Sequence, residues 1–256
     1  MKVRVGSRRT AGGALVWRLV LNHMFERFAL TSSVDDIAAA LAAEATRATG
    51  WRISYRFGVG ERVLIVRSAA SQKPDLRELV LAKWGYIPSW NRGELKPVSS
   101  VGVERLSQNG VFRNAVIRSR CLIPMNGFFE WAHPPVGEQV PCFVQGPVPI
   151  IAAMGLFSVR RVGGREEVSV AFVTRDSPES RDPAKTVPAV LHQTDWASWL
   201  TSDPRTSVEQ FVEPSPSTRA LIDSLSGHRV SVPIAVASAR SATRVTAPIF
   251  ADVGCQ

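Results

Sequence analysis

The stretch Val148-Pro149-Ile150-Ile151-Ala152-Ala153-Met154-Gly155-Leu156-Phe157-Ser158-Val159-Arg160 decides the fold class. It is aliphatic and rich in Val and Ile, and proline and charge bound it, which is the composition of a strand. Working outward, Arg62–Ser68, Leu79–Ile87, Val140–Gln145, Val168–Thr174 and Val230–Ala237 have the same character. Helical signals are fewer. Ser32, Ser33 and Asp36 form an N-cap signal ahead of an alanine-rich run, Val34–Thr49, which ends at Gly50. A second short helix is expected from Thr194, whose hydroxyl can cap Asp195-Trp196-Ala197-Ser198-Trp199-Leu200. Many strands and few helices predict an α+β fold: one domain on a curved, antiparallel, barrel-like sheet with a few flanking helices. Ser202–Thr218, rich in Pro, Ser and Thr, reads as a loop, and there is no internal repeat.

The chain has 256 residues, 45% of them hydrophobic, enough for one or at most two cores without staples. Cys121, Cys142 and Cys255 are odd in number and far apart, and no histidine lies at ligand spacing from them. A reduced, cytoplasmic protein with no metal and no cofactor is expected. The formal charge of +9 suggests a polyanionic partner. Lys2, Arg4, Arg8, Arg9 and Arg18, with no acid among residues 1–23, supply +5 of it and leave +4 for the rest. Ala14–Leu21 is apolar, but it is short and broken by Arg18, so neither a membrane span nor a signal peptide is expected. Residues 1–23 read as a basic flexible extension, or as a segment ahead of a true start at Met24, with the main domain over 24–250.

Generic catalytic signatures are missing from the sequence: there is no GxSxG elbow, HExxH pair or Walker loop. Gly58-Val59-Gly60 does not open a helix and is expected to be a strand-end turn. The distinctive segments are aromatic: Trp84-Gly85-Tyr86-Ile87-Pro88-Ser89-Trp90 and Arg120-Cys121-Leu122-Ile123-Pro124-Met125-Asn126-Gly127-Phe128-Phe129-Glu130-Trp131. The first resembles the WGLIPSW-like stretch, and the second the RCLIPADGFYEW stretch, of the SOS response-associated peptidase (SRAP) family. Phe172-Val173-Thr174, Val187-Pro188-Ala189-Val190-Leu191 and Trp196 follow in the family's order. The resemblance covers roughly Met24 to Leu200.

That resemblance implies a fold and a chemistry. Family members open Met-Cys-Gly-Arg, and the exposed cysteine offers an amine and a thiol on one residue. The pair closes a thiazolidine on the ring-opened aldehyde of an abasic site in single-stranded DNA. Here Phe25 stands at the cysteine position and Glu26 at the glycine. Ser100 and Gly102 fall where the NARSE-like motif has asparagine and arginine, and Glu104 keeps its glutamate. Ala184 and Thr186 stand at the histidine and arginine of the IHxRMPVIL-like stretch.

Several functional positions are thus altered together. Glu130 remains as a catalytic candidate, with Glu104 beside it, and Arg27, Trp84, Trp131 and Arg113 are the DNA-binding candidates. Glu130 could be a desolvated carboxylate suited to proton transfer, or a strand residue pointing to solvent. Trp84 could stack an unpaired base or fill the core, and the core is preferred for Trp90. Cys121, between apolar neighbours, reads as a packing residue.

The expected function is single-stranded or abasic DNA binding in the damage response by a monomer, with crosslinking and autopeptidase chemistry impaired. Two alternatives stay open: an active enzyme working by a Schiff-base lyase route, and a degenerate domain with a protein-interaction role.

Overall fold

The computed structural model describes residues 25–70, 73–91, 93, 95–132, 140–176, 185–201, 208–230 and 250–254. The basic extension, Met24, Ala184, Cys255 and most of the strand expected at Val230–Ala237 lie outside the described residues.

Two sheets make the body. The first runs β15 (Phe250–Gly254), β14 (Ser226–Val230), β9 (Val140–Gln145), β8 (Gly127–Ala132), β1 (Arg27–Leu30), β3 (Ser54–Gly58), antiparallel throughout. The second runs β12 (Thr186–Pro188), β11 (Arg165–Asp176), β10 (Ile151–Val162), β7 (Arg120–Met125), β4 (Arg62–Ala70), β5 (Lys73–Trp84), β2 (Ala43–Arg47). Two short strands join its margins: β6 (Ser100–Gly102) on β11 and β13 (Val190–Leu191) on β10. Because β5 also pairs with β11, the strands β11, β10, β7, β4 and β5 close into a five-stranded barrel. The expected α+β, barrel-like sheet is therefore present. It is not wholly antiparallel, since β5–β11, β6–β11 and β2–β5 pair in parallel.

The barrel forms because its strands are apolar on both faces: all six residues of β7, and Ile151–Leu156 of β10, are buried. Packing there is close enough to require glycine at one point. A Cβ at Gly155 would lie 2.9 Å from Ile123 Cδ1 and 3.0 Å from Cys121 Sγ. Ion pairs also join the strands: Arg67 of β4 to Glu78 of β5 at 2.7 Å, both largely buried, and Arg47 of β2 to Glu166 of β11 at 2.7 Å.

Some local expectations are corrected. Helix α1 spans Val34–Leu41 with Ser33 as its cap, half the expected length. Ala42 turns left-handed at φ 49°, and the rest of the alanine-rich run becomes β2, held in parallel pairing with β5 from Ala43 opposite Arg77. The Arg77 guanidinium donates to the Leu41 carbonyl at 3.0 Å, so tertiary pairing overrides helix propensity. Helix α2 (Arg113–Arg118) has no cap signal in the sequence, and helix α3 starts at Gln193, capped by His192 instead of Thr194. The region read as a loop contains a 3-10 turn, Val208–Phe211, and opens helix α4 (Pro216–Asp223). At Gly58-Val59-Gly60 the chain turns from β3 to β4 with Gly60 at φ 95°, the strand-end turn expected. No helix among the described residues is long and apolar enough to cross a membrane.

The cysteines divide. Cys142 is disulfide-bonded, which corrects the expectation of a fully reduced protein. Cys121 is free and has no exposed surface, and burial pushes its thiol far above the ordinary range. With the thiolate disfavoured and the site closed, alkylation of native protein at pH 8 is expected to leave Cys121 unmodified, and unfolding to expose it. Peptide mass spectrometry reads both states; labelling of Cys121 in the folded protein contradicts the packing.

Candidate nucleic-acid interface

Phe25 enters the fold as a core residue. It is 4% exposed, and its ring stacks on Trp84 at 5.5 Å and meets Phe172 at 4.8 Å and Phe128 at 6.1 Å edge-on. Phe28 completes the cluster, touching Trp84, Phe172 and Phe57. Such aromatic pairs add about 0.5 to 1.5 kcal/mol beyond area burial. A phenylalanine, unlike a cysteine, belongs in this environment.

Trp84 lies at the centre of the cluster with no exposed surface, and its indole N–H donates to the Ser99 carbonyl at 2.9 Å. Its place as a DNA-stacking platform is thereby corrected: a buried, hydrogen-bonded indole presents no face to a base. Trp90, expected in the core, is instead 56% exposed.

Three of the altered positions lie on the short strands β6 and β12, which both pair with β11, the strand that carries Phe172; Ala184 lies outside the described residues. Ser100 is buried and lies opposite Phe172 in the β6–β11 pairing, and Gly102 lies opposite Thr174. A Cβ on Gly102 would come within 3.2 Å of Glu104 Oε2, so the carboxylate of that exposed residue folds back over the glycine. Thr186 lies opposite Asp176, and its hydroxyl is buried without a hydrogen-bond partner.

Strand parity separates the remaining candidates. In the first sheet Phe128 is opposite both Phe28 and Val144, and Phe28 is opposite Phe57, so these side chains share the face that carries the aromatic cluster. Glu130, two residues beyond Phe128 and opposite Cys142, shares that face and is half-buried. It therefore borders the cluster that holds Phe25. Arg27, Phe129 and Trp131 alternate to the other face, where each is partly exposed. Arg56 joins them from β3, a position the sequence reading missed because Ser54–Gly58 is short and runs into the glycine turn.

Arg27 and Arg56 bring two guanidinium groups to this face, with Glu26 and Glu61 close enough to act on Arg27 in the opposite sense. Burial first, then repulsion by Arg56, lowers the Arg27 pKa from its ordinary value, while Glu26 and Glu61 act the other way. An arginine remains charged under such a shift. Gly58, opposite Arg27, leaves space for both neighbours: a Cβ there would sit 3.6 Å from Arg27 Nη1 and 3.6 Å from Glu61 Oε2. Arginine heads beside partly exposed aromatic rings can hold phosphates and stack bases together.

The other basic candidates are scattered. Arg113, Arg118 and Arg105 are exposed, the first two on α2, which packs against β7 and β10. Arg120 is buried, donating from Nε to the Val116 carbonyl with its guanidinium 5.2 Å from the Trp199 ring. It is part of the core and not of a DNA surface.

Comparison with known proteins bears on the family and the fold. The chain is 29% identical over 111 residues to the abasic site processing protein YoqW of Bacillus subtilis, and 27% identical over 111 residues to YoaM of the same organism. Each match takes in 42% of this chain and spans about half the length of the relative, 48% and 47%. Among solved structures, a protein from Bacteroides thetaiotaomicron superposes with a TM-score of 0.65 at 19% identity, covering 80% of this chain and 91% of that one. A phage-related protein from Bordetella bronchiseptica gives 0.59 at 21% identity, covering 81% and 94%. The family model for SOS response associated peptidase (SRAP) matches residues 24–235, and the chain belongs to that family.

Proposed function

We propose that this protein binds single-stranded DNA, abasic DNA included, in a DNA-damage setting, and that it forms no covalent crosslink. The observation that carries this reading is Phe25: the position at which the resemblance puts the nucleophile holds a buried ring without a nucleophilic atom. Glu130 borders the cluster as a proton-transfer group with no thiol to serve. Binding is assigned to the face of the first sheet that carries Arg27, Arg56 and Trp131, where the arginines contact phosphates and the partly exposed Trp131 meets a base. Family membership and the relatives' abasic site processing names support the DNA partner. A cytoplasmic location is part of the same reading.

Fluorescence anisotropy with labelled single-stranded oligonucleotides tests the proposal. Affinity is expected to fall as salt rises, with the log–log slope shrinking by about 0.7 for each phosphate no longer neutralised. Arg27→Ala and Arg56→Ala should each release one phosphate in this way without unfolding the domain. Affinity no better than for a neutral polymer sinks the proposal and leaves a protein-interaction role.

A further inference from the structure

We infer that this protein does not prefer abasic over intact single-stranded DNA, because Phe25 plugs the place from which a lesion would be read. The inference rests on the DNA-binding reading given above.

An abasic nucleotide differs from its neighbours by a missing base and a reactive or displaced sugar. A protein can single it out in three ways. It can react with the aldehyde, push a side chain into the vacancy left by the base, or receive the extruded sugar in a pocket. Each route fails at this cluster. Phe25 has no nucleophile, and the free thiol of Cys121 is enclosed in the barrel. No ring of the cluster protrudes: Phe25, Phe28, Trp84, Phe128 and Phe172 are 4%, 1%, 0%, 2% and 0% exposed. No space is left for a sugar between rings whose centroids are 4.8 Å to 6.1 Å apart.

What remains accessible works in the opposite sense. Arg27 and Arg56 meet phosphates, which an abasic strand shares with an intact one. The partly exposed Trp131 and the exposed Trp90 gain only from a base that is present. Removing a base therefore leaves binding unchanged or, where that base stacks, weakens it by roughly 5- to 150-fold.

The experiment uses the full chain and short labelled oligonucleotides with one central thymine, one tetrahydrofuran abasic analogue or one true abasic site. Equal affinity for the three, or weaker binding of both abasic strands, is the expected result. Clear preference for either abasic strand overturns the inference while leaving the DNA-binding reading intact. No binding to any strand overturns that reading instead, and the inference with it. Phe25→Ala, checked for folding by circular dichroism, removes the plug and should shift the abasic-to-intact ratio toward the abasic strand. A folded variant with the ratio unmoved overturns the role given to Phe25, and if the variant fails to fold, the unaltered protein's ratio decides alone.

Discussion

Trp84→Ala should destabilise the protein by about 3 to 5 kcal/mol, the cost of truncating a buried tryptophan. The indole has no exposed surface, stacks on Phe25, touches Phe28 and Phe172, and donates to the Ser99 carbonyl, so its loss leaves a cavity and an orphaned acceptor. For a domain of this size each kcal/mol moves the melting temperature by about 2 to 4 °C, which puts the fall at roughly 6 to 20 °C. Trp90→Ala, at a position 56% exposed, is the matched control and should leave the melting temperature nearly unchanged. Differential scanning fluorimetry compares the two. Equal melting temperatures for both variants would contradict the cluster as described.

The second large effect is chemical. Incubated with an abasic oligonucleotide and run on a denaturing gel, the unaltered protein should give no heat-stable shifted band. A thiazolidine needs an amine and a thiol on adjacent carbons of one terminal residue, and Phe25 supplies no thiol. The informative partner is a chain shortened to start at Met24 and carrying Phe25→Cys and Glu26→Gly, which then opens Met-Cys-Gly-Arg. The structure adds a condition to that comparison. The Phe25 ring packs between Trp84 and Phe172, so replacing it with a small side chain costs about 3 to 5 kcal/mol, and the melting curve of the variant has to be known first. A band from the repaired chain alone makes Phe25 the principal lesion. If the folded, repaired chain stays unreactive, the changes at Ser100 and Ala184 matter as well. A heat-stable band from the unaltered protein overturns the assignment.

The barrel was legible in the sequence because its strands carry their signal locally. A run such as Ile151–Leu156 is apolar on both faces and has few other uses. The second half of the alanine-rich run was not legible, since its state is set by a partner strand at Arg77 and not by its own composition. The two tryptophans of one motif show the same limit. Trp84 and Trp90 are chemically identical, and only the distant Phe172 and the Ser99 carbonyl decide which is enclosed. Arg56 had a local signal, the alternation Tyr55-Arg56-Phe57, but too brief to mark a strand. The disulfide at Cys142 had none, because spacing along the chain does not reveal which cysteines meet.

The closure of the barrel also governs how the protein comes to be folded. Lys83 and Trp84 pair with Ser169 and Val170, so the last seam waits for a strand made long after its partner. Until β11 arrives, Trp84, Phe25 and Phe28 lack the Phe172 ring that covers them, and a nascent or refolding chain carries that apolar surface uncovered. Topologies dominated by such distant pairings fold on the millisecond-to-second scale, and partly built sheets associate through the surfaces they have yet to bury. Refolding yield should therefore fall steeply with protein concentration, and the interval before β11 emerges from the ribosome is when the chain most needs a chaperone.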